Sequence, residues 1–188
     1  MKPPTTTPPQ AQEILRFWFS EETKVRWFNA TAEFDQALGE RFLPVFEQAE
    51  AGGLREWGDT PQGALALVIV LDQFPLNLFR HEARSFGTEA AAREVSAAAI
   101  ARDFDQSLDP QGKTFLYLPF MHSENLDDQH RSVALFKAAG LQDNLRFARH
   151  HRDIVQRFGR FPHRNRILGR ESTREEIAWL NSPQGFNP

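Results

Sequence analysis

"GALALVIVLDQFP", residues 63 to 75, decides the fold class. Its apolar residues show neither the alternation of a half-buried strand nor a single polar face, so period alone fits a buried strand or a buried helix. The β-branched "LVIVL" and the Asp behind it favour a strand. No second run of that kind is present to pair with it, however, and Asp59 or Thr60 followed by Pro61 is a helix start: a capping oxygen, then a ring already fixed at a helical dihedral. The stretch therefore reads as a buried helix, and it is predicted to end before Pro75, because the residue preceding a proline is driven out of the helical region.

Working outward, Ile14, Leu15, Trp18 and Phe19 recur at helical spacing, and Phe34, Leu38, Phe42 and Phe46 form an i, i+4 stripe that continues past Pro44 and stops at Gly52 and Gly53. Thr88 is predicted to cap an alanine-rich helix reaching about Arg102. "KTFLYLPFMHSE" predicts a short helix broken by Pro119, then a helix from about Glu124 with Leu126, Val133 and Phe136 inward. A further helix, Asp143 to Gly159, is predicted to bury Phe147, His151, Ile154 and Phe158 and to carry Asp143, Arg146, His150, Asp153 and Arg157 on a polar face. The last helix opens on a capping box, Thr173 to Glu176, and is predicted to turn Ile177, Trp179 and Leu180 inward. The expectation is an all-α fold, an irregular antiparallel bundle or solenoid, forming one domain over residues 11–188 behind a Pro/Thr-rich disordered tail at residues 1–10.

The composition narrows the chemistry. With 17 Phe and 4 Trp in 188 residues, large rings set the packing. The formal net charge of -3 gives no global cationic field, which disfavours nucleic acid as a partner. There is no cysteine, so thiolate catalysis and Cys-based zinc sites are excluded and only His, Asp and Glu are left as metal ligands. The longest apolar run, Ala64 to Leu71, falls far short of the roughly 18 residues of a membrane span, and residues 1–10 lack the apolar stretch of a secretory signal. A cytoplasmic protein with no membrane partner is expected.

Three segments place polar side chains where helices end: "LDQFPLNLFR", "FLYLPFMHSE" and "RFGRFPHRNRILGR". A turn stiffened by proline and pinned by a buried ring holds charged neighbours with little freedom, which lowers the entropy cost of gripping a ligand. In the third segment Arg157, Arg160, Arg164, Arg166 and Arg170 occur with no acid among them. Guanidinium groups bind carboxylate or phosphate oxygens in pairs, so the loop predicts an anion site, with Arg160, His163, Arg164, Asn165 and Arg170 as binding residues. The competing reading has these arginines tying helices together by pairing with Asp72, Glu124, Asp127 or Asp128, and Arg166 simply exposed. His122 and His151 are candidate acid or base groups, Glu124 and Asp72 their partners, and Gln73 and Arg80 continue the polar edge. His122, Glu124 and His151 are also an open alternative as ligands of a divalent metal. The sequence leaves the cofactor unknown.

The strings "LDQFPLN", "LPFMHSE" and "FGRFPHRNRILGR", in this order, resemble the domain of unknown function 924 family, in which "LDQFPRN", "LPxMHSE" and "FGRFPHRNxxLGR" recur. The resemblance spans about Trp18 to Leu180 and implies an all-helical fold similar to tetratricopeptide-type helix pairs. The family pattern falls on Asp72, Gln73, Asn77 and Arg80, on His122, Ser123, Glu124 and Gln129, on His151, and on Arg160, His163, Arg164, Asn165, Gly169 and Arg170. Leu76 stands where the pattern has Arg, and Arg174 where it has Pro.

Two functions fit. One is a small-molecule enzyme, hydrolase-like, with Arg160, Arg164 and Arg170 clamping an anionic metabolite while the histidines move a proton; no nucleophile motif accompanies it. The alternative is a helical scaffold recognising an acidic peptide or protein.

Overall fold

Every regular element among the described residues, 6–27, 29–183 and 185 of this computed structural model, is helical. In chain order the α-helices are α1 (Pro9–Trp18), α2 (Glu21–Lys24), α3 (Ala32–Glu50), α4 (Pro61–Val68), α5 (Phe74–Leu78), α6 (Glu89–Ala101), α7 (Pro110–Met121), α8 (Leu126–Ala138), α9 (Gln142–Phe158) and α10 (Arg174–Leu180). The all-α expectation holds. The helical path starts at Pro9; the expectation for residues 1–5 lies outside the described residues.

The deciding stretch is helical from end to end and buried throughout, from Gly63 to Pro75. Thr60 caps α4 as expected, its Oγ1 accepting the Gly63 N–H at 3.1 Å. The predicted stop before Pro75 does not occur. A π-helical turn, Ile69–Gln73, joins α4 to α5. The extra residue in that wider turn shifts the register, so Pro75 enters at the start of α5, where its missing N–H costs nothing. Thr88 stands at the N-cap position of α6, as expected, but its side chain makes no capping bond. Its hydroxyl donates instead to the Leu71 carbonyl at 2.5 Å, serving an acceptor inside the widened segment.

Two compact units divide the chain. Residues 1–80 and 84–119 form the first. Its centre is aromatic: Trp18 meets Phe74 at 5.7 Å and Phe115 edge-on at 5.6 Å, and Phe42 meets Phe74 at 5.5 Å between ring centroids. α3 continues through Pro44, and Leu38, Phe42 and Phe46 of the predicted stripe are buried. Pro119 does not break α7, which reaches Met121.

Residues 81–83 and 120–188 form the second unit, built on the packing of α8 against α9. The inner face of α9 is Leu145, Ala148, Ile154 and Val155; of the predicted stripe Ile154 is buried and Phe158 packs half-buried against it, but Phe147 is 48 % exposed. Small Ala148, fully buried, permits a close helix approach that a Phe would prevent. Likewise α8 buries Gln129, Ser132 and Phe136 and leaves Leu126 exposed, while α10 buries Glu176 and Trp179 and exposes Ile177. In α10 the inward place expected for an apolar residue belongs to an acid whose charge is met by Arg160. Ile154, Val155, Phe161 and Trp179, with Phe158 and Leu180 against them, make the apolar core beside the arginine loop.

Candidate functional site

The candidate residues divide between the units. Asp72, Gln73 and Arg80 belong to the first; His122, Glu124, His151, Arg160, His163, Arg164, Asn165 and Arg170 belong to the second.

In the first unit the π-turn carries Asp72 and Gln73 inward, 2 % and 5 % exposed, with the Gln73 amide donating to Asp72 Oδ2 at 2.5 Å. Asn77 donates to the Gln73 carbonyl. Arg80 is held by Asp35 through Nε at 2.7 Å and Nη2 at 3.1 Å. That acid stands 45 residues upstream, beyond what sequence neighbourhood shows. Grooves of about 470 and 300 Å³ open on this unit, the larger along Leu67, Leu71, Val95 and Arg102, the smaller along Leu15, Phe19 and Leu65. None of the candidate residues lines either.

In the second unit the loop is built as its composition suggested. α9 stops at Gly159, whose φ of 69° lies in the left-handed region that glycine adopts without strain, and the Gly159 N–H donates to the Val155 carbonyl. The chain then drops Phe161 and Pro162 into the core and closes a 3-10 turn, Pro162–Arg164, through Arg164 N–H to Phe161 O at 3.0 Å. Phe161 is extended, so its N–H has no partner within the turn, while its carbonyl, already accepting from the Arg164 N–H, has a second lone pair to offer. Glu124 and Arg170 meet these two groups: Glu124 Oε1 accepts the Phe161 N–H at 2.7 Å, and Arg170 Nη2 donates to the Phe161 carbonyl at 3.3 Å. The two side chains also grip each other, Arg170 Nη1 to Glu124 Oε2 at 2.6 Å and Nη2 to Oε1 at 2.8 Å. Burial pushes the Glu124 carboxyl upward, but the hydrogen bonds from Arg170 and Phe161 and the nearby Arg164 charge outweigh it and hold the group below its ordinary range.

Around the Phe161 ring three candidates gather. His151 of α9 meets it edge-on at 5.5 Å, His163 lies 5.6 Å away, and the Arg164 guanidinium sits 4.7 Å from its centroid. Arg164 is only 6 % exposed. Burial, followed by the charge of Arg164 and the neighbouring His151, brings His163 down to about 3. Burial also brings His151 down to about 4, with His122, His150 and Arg164 adding to the effect. Both rings are neutral near pH 7. The hydrogen bond between His151 Nδ1 and the Phe147 carbonyl, 2.9 Å, places the proton on Nδ1 and the lone pair on Nε2.

His122 follows α7 in a turn fixed by Gln129, whose amide donates to the carbonyls on either side of it, Met121 at 2.7 Å and Ser123 at 2.6 Å. Neither Ser123 nor Glu124 caps α8; Asn125 does, accepting from Asp127 and Asp128. Among the described residues no three His, Asp or Glu side chains gather closely enough to hold a metal ion, and both Glu124 oxygens are engaged, so the ligand set His122, Glu124 and His151 does not form.

Two arginines of the loop expected to bind an anion are matched by acids that follow it. Arg160 gives Nε and Nη2 to the two oxygens of Glu176 at 2.6 and 2.9 Å, and Arg157 gives two bonds to Glu175. Asn165 donates to Ser172 and to Glu176. Held by Arg160 first, and by Thr173 and Asn165, the buried Glu176 carboxyl falls to about 2. The pairing acids lie just after the arginine loop, and Glu176 had been legible only as a capping-box residue. Its dual role, cap and ion-pair partner, follows from the reversal of chain between α9 and α10. Arg166 is exposed, as expected.

The arrangement thus sets a buried guanidinium, Arg164, and a neutral imidazole, His151, against one ring. Comparison with known proteins adds the kinship. A solved structure of a protein of unknown function from Agrobacterium tumefaciens, ATU0120, superposes with a TM-score of 0.88 at 40% identity, over 94% of this chain and 99% of that one. No curated protein matches the chain. Residues 14–184 match the family described as bacterial protein of unknown function, DUF924, and the chain belongs to that family.

Proposed function

We propose that the second unit binds an anionic small molecule beside Phe161 and acts on it by proton transfer, as a hydrolase of phosphorylated or carboxylated metabolites does. The observation that carries this is Arg164, 6 % exposed and set against Phe161 in the company of two imidazoles that burial keeps neutral. A guanidinium desolvated in this way binds an oxyanion more strongly than one in water, and its five donors allow more than one partner. His151 Nε2 is the proposed base and His122 or His163 the proposed acid. Glu124, Arg170, Arg160 and Asn165 are positioning residues: they fix Phe161 and the turn that carries Arg164. In the first unit the buried pair Asp72 and Gln73, with Arg80, form a separate proposed set, Asp72 as an acid or base group and Gln73 and Arg80 as binding residues. The setting is cytoplasmic, and the helices stack in the tetratricopeptide manner. The scaffold reading is weaker, because Arg160 and Arg170, which would meet an acidic peptide, are already matched by Glu176 and Glu124.

A thermal-shift screen with phosphate, sulfate and small carboxylates tests the reading. At least one anion raises the melting temperature, and Arg164→Gln abolishes that rise. Because a buried substitution can unfold the chain, histidine imidazole NMR on the wild type gives a second readout: binding moves the His151 and His163 signals and leaves those of His81 and His130 in place. An anion that stabilises without touching those two signals overturns the assignment.

A further inference from the structure

We infer that this site takes up a proton together with its anion, so that anion binding tightens as the solution becomes more acidic. The inference rests on the proposed anion site and specifies its regulation. Its basis is the crowding of titratable groups around one ring. His151 of α9 and His163 lie 5.5 and 5.6 Å from the Phe161 ring and the Arg164 guanidinium 4.7 Å from it, with His150 6.2 Å from His151. Glu124 and Arg170 also act on the charge of His163, and His122 on that of His151. Cations and imidazoles dominate this set, and its one carboxylate is already bonded to Arg170 and to the Phe161 N–H.

Burial first, and the neighbouring positive charge after it, oppose a proton on either ring, so both stay neutral down to low pH. An anion seated among these groups reverses that balance, because it sets an opposite charge against each imidazole. It raises their proton affinity, and by reciprocity a protonated ring raises the affinity for the anion. The sign fixes the window. Affinity grows as pH falls through the imidazole's value in the complex, which lies above the free values of about 4 for His151 and 3 for His163, and the gain is complete below those values. One coupled proton gives at most about a tenfold gain per pH unit. Glu124, held below its ordinary range by Arg170 and the Phe161 N–H, stays ionised between pH 5.5 and 7.5 and contributes a constant background there.

Sulfate is a suitable probe, because its charge does not change between pH 5 and 8. With the 188-residue chain, sulfate affinity is measured at pH 7.5, 6.5 and 5.5 against chloride at matched ionic strength, by NMR. The expected result is at least a fivefold tighter Kd at pH 5.5 than at 7.5, an upward move of the His151 or His163 titration in sulfate, and a flatter pH dependence in His163→Gln. If that variant does not fold, the wild-type imidazole titrations with and without sulfate decide the matter alone. Sulfate that binds beside Phe161 with pH-independent affinity, or with both titrations unmoved, overturns proton uptake and leaves the anion site standing. Sulfate that binds at no pH overturns the anion site, and this inference with it.

Discussion

Two adjacent acids of α10 have opposite fates. Glu175 pairs with Arg157 on the surface, both side chains at least half exposed, while Glu176 is 2 % exposed and accepts from Arg160, Asn165 and Thr173. Exposed pairs contribute little and buried charges left unmatched cost a great deal. Arg157→Ala is therefore expected to change stability by under about 1 kcal/mol, and Glu176→Gln to lower it by about 2 to 4 kcal/mol, both read from urea denaturation. Equal losses would mean that the depth of Glu176 carries no energetic weight. At this scale the sequence indicated which residues were special more reliably than what each one does. Glu124 and Arg170 stood out from their strings, but Glu124 reaches Phe161 across 37 residues and Arg170 across 46, contacts that depend on where the chain folds back.

The run from Pro61 to Leu78 shows the same limit for an element. Its helical nature followed from the Thr60 and Pro61 start and the lack of a pairing partner; its length did not, since a π-turn lets the helix absorb Pro75. Hydrophobic period likewise set the number and rough bounds of α3, α8 and α9, but the inward face of α9 turned on the smallness of Ala148, a matter of fit that hydrophobicity does not encode. Thr88→Val keeps the shape of the side chain and removes the donor to the Leu71 carbonyl; leaving that acceptor unmatched is expected to cost about 1 to 3 kcal/mol, with Thr88→Ser retaining most of the stability. Gly63, in the first turn of α4, has no room for a Cβ, which would collide with the Trp57 carbonyl and lie 2.7 Å from Thr60 Oγ1. Gly63→Ala should lower the melting temperature clearly, while Gly58→Ala, where nothing lies within 4 Å, serves as the neutral control.

Across the whole molecule, all six histidines, at positions 81, 122, 130, 150, 151 and 163, fall in the second unit. His151 and His163 are neutral when folded, whereas the unfolded chain binds protons near pH 6.5. Stability is therefore full above about 6.5 and is lost as pH falls toward about 4 and then 3, by on the order of 2 kcal/mol for each ring. Glu124 and Glu176, held low, add stability above their unfolded value near 4.5 and lose it only below, so the first losses on acidification belong to histidine. Urea midpoints between pH 7.5 and 4.5 check this; a flat profile would remove the buried imidazoles from the account, and His163→Gln should reduce the slope. Phe161 also has a spectroscopic consequence. An aromatic ring within 6 Å of two imidazoles and a guanidinium displaces their proton resonances through its circulating π electrons, so these groups should stand apart in an ordinary one-dimensional spectrum of unlabelled protein, visible before any ligand is added.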